Sequence, residues 1–264
     1  VALQLMGLLD DAEAPIDRIL SLLRVDPALS AEILRVSNSA LYGLSRRIDN
    51  LSHAVVVLGT DVVKRLAITA ALARFSRGFM HVPGLRACWD HSVACALIAE
   101  ELAQAMNQPT DRAYTAGLLH DIGRLALFAS YPVEYGNMFA VARESDFDEL
   151  ACERELFQVD HCAAGAWLAR SWSLPEDFVE AISGHHTSEP GDASLVSIVT
   201  AADRVANCIG FHVQYAPPRE SVSEFIGRLP LADPRAMAEK LENYADTIRA
   251  SLAAITPDKK RANS

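Results

Sequence analysis

The sequence predicts an all-α fold, and three observations carry that prediction. Apolar residues recur at helical spacing nearly everywhere along the chain. No run of alternating β-branched residues bounded by turn signals interrupts them. Helix-start and helix-stop residues punctuate the pattern, with Asp26-Pro27 and Asp233-Pro234 as starts and Gly59 as a stop.

Taken in order, Pro15 opens a first helix with Ile16, Ile19, Leu20 and Leu23 on one face. Asp26-Pro27 reads as N-cap and first residue of a second, which carries Leu29, Ile33, Val36 and Ala40 on one side. Asn38 and Ser39 close its end, because both side chains compete for backbone partners. Ser52 caps His53 to Leu58, Gly59 stops that helix, and Thr60 caps the next through Val63, Leu66 and Ala70. Two glycines and Pro83 between Gly78 and Gly84 mark the internal boundary.

A long helix runs from about Leu85 to Met106 and ends at Asn107-Gln108-Pro109. Another covers Asp111 to His120, with Gly123 close behind, and two more cover Glu149 to Phe157 and His161 to Ser171. Pro175 opens a helix that reaches Gly184, and one from Leu195 carries Val199, Asp203 and Val205. The chain turns irregular around Ala216-Pro217-Pro218. Asp233-Pro234 then begins a last amphipathic helix with Leu241, Tyr244, Ile248 and Leu252, before a solvated Lys259-Lys260-Arg261 tail. This gives a first helical half over 1–80, a second over 81–210, and a C-terminal helical extension and tail over 211–264.

Composition excludes several function classes. With 264 residues, 50% of them hydrophobic, the chain can bury a sizeable core and is not disordered. The longest apolar stretches, Ala54–Leu58 and Leu66–Ala73, fall far short of the roughly 18–20 residues that span a bilayer, so no membrane partner is expected. Twenty-four basic residues against thirty-four acidic ones give a net charge of −10, which argues against nucleic-acid binding through phosphate neutralisation. Five scattered cysteines without a C-x-x-C pair suit a reducing cytoplasm. No basic region followed by an apolar one opens the chain, and a start at Val1 leaves room for an input domain upstream.

The histidines are the chemically informative residues. His91 lies on the long helix, His120 adjoins Asp121, His161 follows Asp160, and His185-His186 stand as a pair. Imidazole and carboxylate are the usual ligands of Zn, Mn, Fe or Ni, and Asp203 adds a carboxylate from a distant helix. Taken singly, each histidine reads first as a core or capping residue bonded to backbone. Trp89 and Trp172 read as core anchors, Gly165 as a point of close helix approach, and Cys88 and Cys95 as packing on one helix face. Arg46-Arg47 is an exposed basic pair with no assigned partner.

Several motifs together carry a resemblance. Gly117-Leu118-Leu119-His120-Asp121-Ile122-Gly123-Arg124 resembles the signature of the HD superfamily of metal-dependent phosphohydrolases. Asp26-Pro27-Ala28-Leu29, Asn38-Ser39-Ala40 with Tyr42-Gly43, and Ala54 with Leu58-Gly59 resemble the first half of the HDOD (HD-related output) domain. Trp89-Asp90-His91-Ser92, Asp160 to Gly165, Trp172-Ser173-Leu174-Pro175 and His185-His186 resemble its second half. The resemblance spans about residues 8–206 and implies a helical N-terminal bundle packed on a modified HD domain.

It further implies a one-metal pattern of His91, His120, Asp121 and Asp203, with His161, His185 and His186 at positions that hold a second ion in the related HD-GYP phosphodiesterases. One or two divalent ions (Fe, Mn, Ni or Zn) are the implied cofactors. Arg124 stands where those enzymes have lysine. Two departures point away from them: Thr187 to Asp192 contains no Gly-Tyr-Pro loop, so cyclic di-GMP hydrolysis is not expected, and Ala87 stands where some relatives place a glutamate. The family implies a bacterial signal-transduction output module working through contacts with signalling proteins. The alternative it implies is a metal-dependent phosphohydrolase acting on phosphomonoesters or phosphodiesters, with Asp121, Arg124 and His161 as the catalytic residues.

Overall fold

The structure, a computed structural model, describes residues 16–24, 26–39, 42–43, 47–76, 83–142, 148–213 and 220–255. Every regular element among them is a helix. Pro15, Ala40, Arg46, Gly78, Ala216-Pro217-Pro218 and the Lys259-Lys260-Arg261 tail lie outside the described residues, as do the side chains of Ile16 and Ile19. The chain forms two compact units, Val1–Gly78 with Asp246–Ser264, and Phe79–Ala245.

The first unit contains α1 (Ile16–Arg24), α2 (Pro27–Ser37), α3 (Leu51–Leu58), α4 (Thr60–Ser76) and nearly all of α15 (Ala245–Ile255). Its core comes from the apolar faces expected of these segments: Leu20 and Leu23, Leu29, Ile33 and Val36, Val63, Leu66 and Ala70 are all buried. Asp26 caps α2 by accepting from Leu29 N at 3.0 Å, with Pro27 in the first turn where its missing N–H costs nothing. Arg35 Nη2 donates to Ile255 O at 3.1 Å and ties α2 to the end of α15.

Asn38 closes α2 and also shapes the chain beyond it. Its Nδ2 donates to Leu34 O and Ile48 O, both at 2.7 Å, while its Oδ1 accepts from Ile48 N at 2.8 Å. The start of α3 corrects the sequence reading. Asn50, not Ser52, is the cap: its side chain accepts from His53 N at 2.8 Å, and Ser52 lies within the helix. Asn and Ser are both competent caps two residues apart, and the one whose oxygen meets the third helical N–H prevails.

The second unit runs through α5 (Pro83–Ala105), α6 (Thr110–Leu119), α7 (Ile122–Ser130), α8 (Pro132–Ala142), α9 (Glu149–Phe157), α10 (His161–Ser171), α11 (Glu176–Gly184), α12 (Leu195–Cys208), α13 (Val222–Ile226) and α14 (Pro234–Glu242). Helices α6 and α12 pack on α5, and α10 packs on both α7 and α11. Trp89 is fully buried on α5, whereas Trp172 is only partly so. Helices α7 and α8 are not foreseen from the sequence, and six of the nine residues of α7 are buried. The last predicted helix also divides. Asn243 ends α14, its Nδ2 donating to Glu239 O at 2.9 Å, and α15 begins at Ala245.

The crossing of α7 and α10 is the tightest in this unit's framework. A Cβ on Gly123 would stand 2.0 Å from His161 O and 2.5 Å from Gly165 N, so the two helices meet backbone to backbone. A side chain at Gly123 would force them apart. No described helix is long and apolar enough to cross a membrane.

Candidate metal centre

The second unit gathers its histidines at helix ends and on two long helices. His120 is the C-cap of α6, His185 the C-cap of α11, Asp121 the N-cap of α7 and His161 the first residue of α10. His91 comes from α5 and Asp203 from α12. Ring centroids lie 5.2 Å apart for His91–His120, 4.9 Å for His120–His185, 4.3 Å for His185–His186 and 5.0 Å for His161–His186. All seven residues that the sequence proposes as ligands therefore share one cluster. Six of them are buried, and His186 is exposed.

Each buried imidazole is oriented through its Nδ1. That atom lies 2.7 Å from Gly117 O in His120, 2.9 Å from Ile182 O in His185 and 2.7 Å from Glu153 Oε2 in His161, and in His91 it meets Phe211 O. Carbonyl and carboxylate oxygens only accept, so each Nδ1 carries the proton. Whenever such a ring is neutral, its Nε2 therefore presents a lone pair, the arrangement typical of a metal-ligating histidine held by an outer partner.

The lone pairs then face other acceptors. His185 Nε2 and His161 Nε2 each lie 3.5 Å from Asp121 Oδ1, and His120 Nε2 lies 3.7 Å from Asp121 Oδ2. His120 Nε2, Asp121 Oδ1 and His185 Nε2 are buried with no hydrogen-bond partner. Isolated hydroxyls such as those of Ser92 and Thr200 share that condition, but a hydroxyl is also a donor and can turn. Three acceptor atoms converging in this way repel one another unless a proton or a metal cation stands between them.

The ligand-type atoms fall into groups whose members lie within 4.8 Å of one another: His91, Cys95, His120 and Asp203; His120, Asp121 and His185; His161, Cys162, His185 and His186; and Glu149, Glu153 and His161. These groups could hold a metal ion, and nitrogen and oxygen donors with a nearby thiol suit a borderline divalent ion such as Zn, Fe or Mn.

Electrostatics prepare the cluster for a cation. Burial works to raise the Asp121 carboxyl, but the Arg124 guanidinium, followed by His120, outweighs it and holds that carboxyl well below its ordinary range. Asp203 is likewise opposed by burial and brought below its ordinary range by its hydrogen bond from His91, whose Nε2 lies 3.0 Å from Asp203 Oδ1. Burial pushes the pKa of His120 down to about 4, which keeps the ring neutral. His91 behaves in the opposite way: against its burial, Cys95 and Asp203 raise it well above the ordinary histidine value, so in the metal-free protein it pairs with Asp203 as an imidazolium.

Arg124 is an internal partner here. It is 3% exposed, and its Nε donates to Asp121 Oδ2 at 2.8 Å, its Nη1 to Glu149 Oε1, and its Nη2 to His161 Nε2 at 3.3 Å. Sequence reasoning missed the glutamates behind it. Glu153 is fully buried, accepts from His161 Nδ1 and from His161 N at 2.7 Å, and takes a third bond from Tyr135 OH. Its one sequence signal is its place eight residues before His161, on the preceding helix. Cys95 reads as packing in the sequence, yet its Sγ stands 3.4 Å from His91 Nε2, one turn along the same helix.

Known proteins resemble this chain in sequence and in fold. A sequence profile described as HDOD domain matches residues 1–188. The solved structure of an HDOD domain protein of unknown function from Geobacter sulfurreducens superposes with a TM-score of 0.80 at 25% identity, covering 96% of this chain and 91% of that one. A Shewanella amazonensis protein named as a candidate phosphohydrolase gives a TM-score of 0.75 at 25% identity, covering 96% and 92%. Among curated relatives, an uncharacterized protein of Treponema pallidum is 24% identical over 229 residues, 84% of this chain and 44% of its own length. Ribonuclease Y of Thermotoga petrophila is 28% identical over 173 residues, 64% of this chain and 28% of its own. The chain thus spans less than half the length of these two relatives.

Proposed function

The chain belongs to the HDOD domain family, and from that premise we propose that it is a signal-transduction output module built around a divalent-metal centre and working in the cytoplasm through contacts with other signalling proteins. The observation that carries the metal centre is the convergence of His120 Nε2, Asp121 Oδ1 and His185 Nε2, all buried and none with a partner. These three hold the ion, with His91 and Asp203 on one flank and His161 and His186 on the other. Bound there, an ion such as Zn, Mn, Fe or Ni would supply Lewis acidity and lower the pKa of a coordinated water. The chain's own residues orient the ligands: Gly117 O, Ile182 O, Phe211 O and Glu153 fix the four ring tautomers. All five cysteines are free thiols, which suits a reducing compartment.

A second reading, a metal-dependent phosphohydrolase, draws support from the same cluster and from relatives named as ribonuclease Y and as a candidate phosphohydrolase. In that reading Asp121 would help hold the ion, which would supply Lewis acidity towards water, and Arg124 or His161 would steady the phosphoryl charge. The engagement of Arg124 favours the output module, since its guanidinium nitrogens already bind Asp121, Glu149 and His161 away from solvent.

Elemental analysis of purified protein, joined to a general phosphatase and phosphodiesterase screen with bis-p-nitrophenyl phosphate, RNA and cyclic di-GMP, tests both readings. Bound metal without turnover supports the output module. Turnover that Asp121→Ala abolishes would transfer the conclusion to the phosphohydrolase, and protein without metal under any loading condition removes the centre from both.

A further inference from the structure

Two groups of ligand-type atoms flank Asp121, and Arg124 reaches only one of them. On the side of His120 and His185 the acceptor atoms are free of hydrogen bonds. On the side of His161 they are taken. His161 Nε2 lies 3.3 Å from Arg124 Nη2 and 3.0 Å from His186 Nε2, and Arg124 Nε lies 2.8 Å from Asp121 Oδ2. We propose that the Arg124 guanidinium is a built-in cation occupying the place of a second metal ion, so that the centre holds a single divalent ion on the His120–His185 side. This inference rests on the metal-centre reading above.

Three features support it. A metal ligand needs its lone pair directed at the ion from about 2.0–2.2 Å, and the guanidinium consumes two that a second ion would use: that of His161, and an Asp121 oxygen able to bridge. The neighbouring group of Glu149, Glu153 and His161 is claimed in the same way. Glu149 accepts from Arg124 Nη1, and Glu153 accepts from Tyr135 and from His161 itself. Second, the planar guanidinium meets Asp121, Glu149 and His161 at once, which a single ammonium cannot do, and it does not lose its proton in a protein. Third, Arg124 cannot swing aside. It is 3% exposed and anchored at all three nitrogens, and the backbone contact of Gly123 with His161 O and Gly165 N holds its helix against α10.

The test is metal stoichiometry. The full chain is stripped with chelator, reloaded with Mn(II) and desalted, then metal per chain is measured by mass spectrometry and the Mn(II) environment by electron paramagnetic resonance. The wild type should hold about one ion with a mononuclear signal, and Arg124→Ala should approach about two, with the spin-coupled signal of ions roughly 4 Å apart. Because that variant leaves buried carboxylates unpaired, Glu149→Gln provides a gentler arm: it loosens one anchor at a half-buried residue and should raise second-ion occupancy above the wild-type value at equal Mn(II). About two ions in the wild type, or wild-type occupancy in both variants once circular dichroism shows them folded, overturns the inference while leaving the metal centre standing. A wild type that takes up no metal removes the centre and this inference with it.

Discussion

Asn38, His120 and His185 each close a helix, yet they leave the chain in different states. Asn38 uses both of its polar atoms: Nδ2 serves two carbonyls, and Oδ1 accepts the Ile48 N–H. His120 and His185 each use Nδ1 on the carbonyl three residues back and keep a buried Nε2 with nothing to bond. A polar cap whose capacity is filled serves the fold. One with an acceptor left over in a dry site costs stability as it stands, a cost that an ion bound there would offset.

The largest effect expected from this contrast is at Asp121. Asp121→Ala removes the carboxylate that pairs with Arg124 and faces three imidazoles. The metal-free variant should lose about 3–5 kcal/mol through the uncompensated buried charge, and reloading should return none of it. Denaturation with and without chelator reads both quantities. An unchanged metal content would break the comparison at its root.

Gly123→Ala tests the scaffold beneath it. The added methyl must displace His161 O and the Gly165 backbone, so we expect a loss of about 3 kcal/mol or more from overpacking. Metal affinity should fall in the same variant, because α7 carries Arg124 and α10 carries His161. A stable Gly123→Ala protein with wild-type affinity would show that the crossing is not what holds the site.

Acid should separate the two kinds of cap. Burial lowers the His120 pKa from 6.5 to about 4, so as the pH falls through that window the unfolded chain takes up a proton that the folded chain refuses. The metal-free protein is therefore unaffected by this group above about pH 6.5 and loses up to about 3 kcal/mol as the pH falls towards 4. His161, also lowered by burial and then by Arg124, adds in the same direction. His91 has the opposite sign: its raised value contributes stability that is complete below 6.5 and lost as the pH rises through its folded pKa. Urea titrations of chelated protein across about pH 4–7 should show the slope, and it should diminish in His120→Ala but persist in Asn38→Ala.

The smallest effect completes the contrast. Asn38→Ala removes filled hydrogen bonds at a helix end and should cost about 1–2 kcal/mol. Its metal content should equal that of the wild type. A change there would mean that the first unit takes part in ion binding.

The helical class was legible in the sequence for a local reason, and the residues of the histidine cluster were legible through the motifs that resemble a family. Asp26-Pro27, Gly59 and Asp233-Pro234 act on backbone within one turn of themselves, whereas His120-Asp121 and His185-His186 gain meaning only as parts of longer motifs. Residues whose role arises only from packing were not legible. Glu153 looks like one more charge on an amphipathic helix until Tyr135 and His161 close over it. Cys95 shares a face with Cys88 and reads as core, and only the fold sets it beside His91 and Asp203. Helix α7 escapes because Gly123, its second residue, reads as a stop for the helix before it. In the sequence Arg124 points to an external phosphate, and the carboxylates that engage it cannot be foreseen from spacing alone.

The helix ends at the cluster also have a direction. His120 and His185 stand where α6 and α11 finish, whereas Asp121 and His161 stand where α7 and α10 begin. Aligned peptide dipoles place roughly half a negative elementary charge at each finishing end and a similar positive charge at each starting end. The backbone itself is thus polarised across the centre, cation-seeking beside the two terminal histidines and anion-seeking beside Asp121 and His161. No side-chain substitution erases that field, so variants that lose a ligand should keep the preference for which side a cation visits.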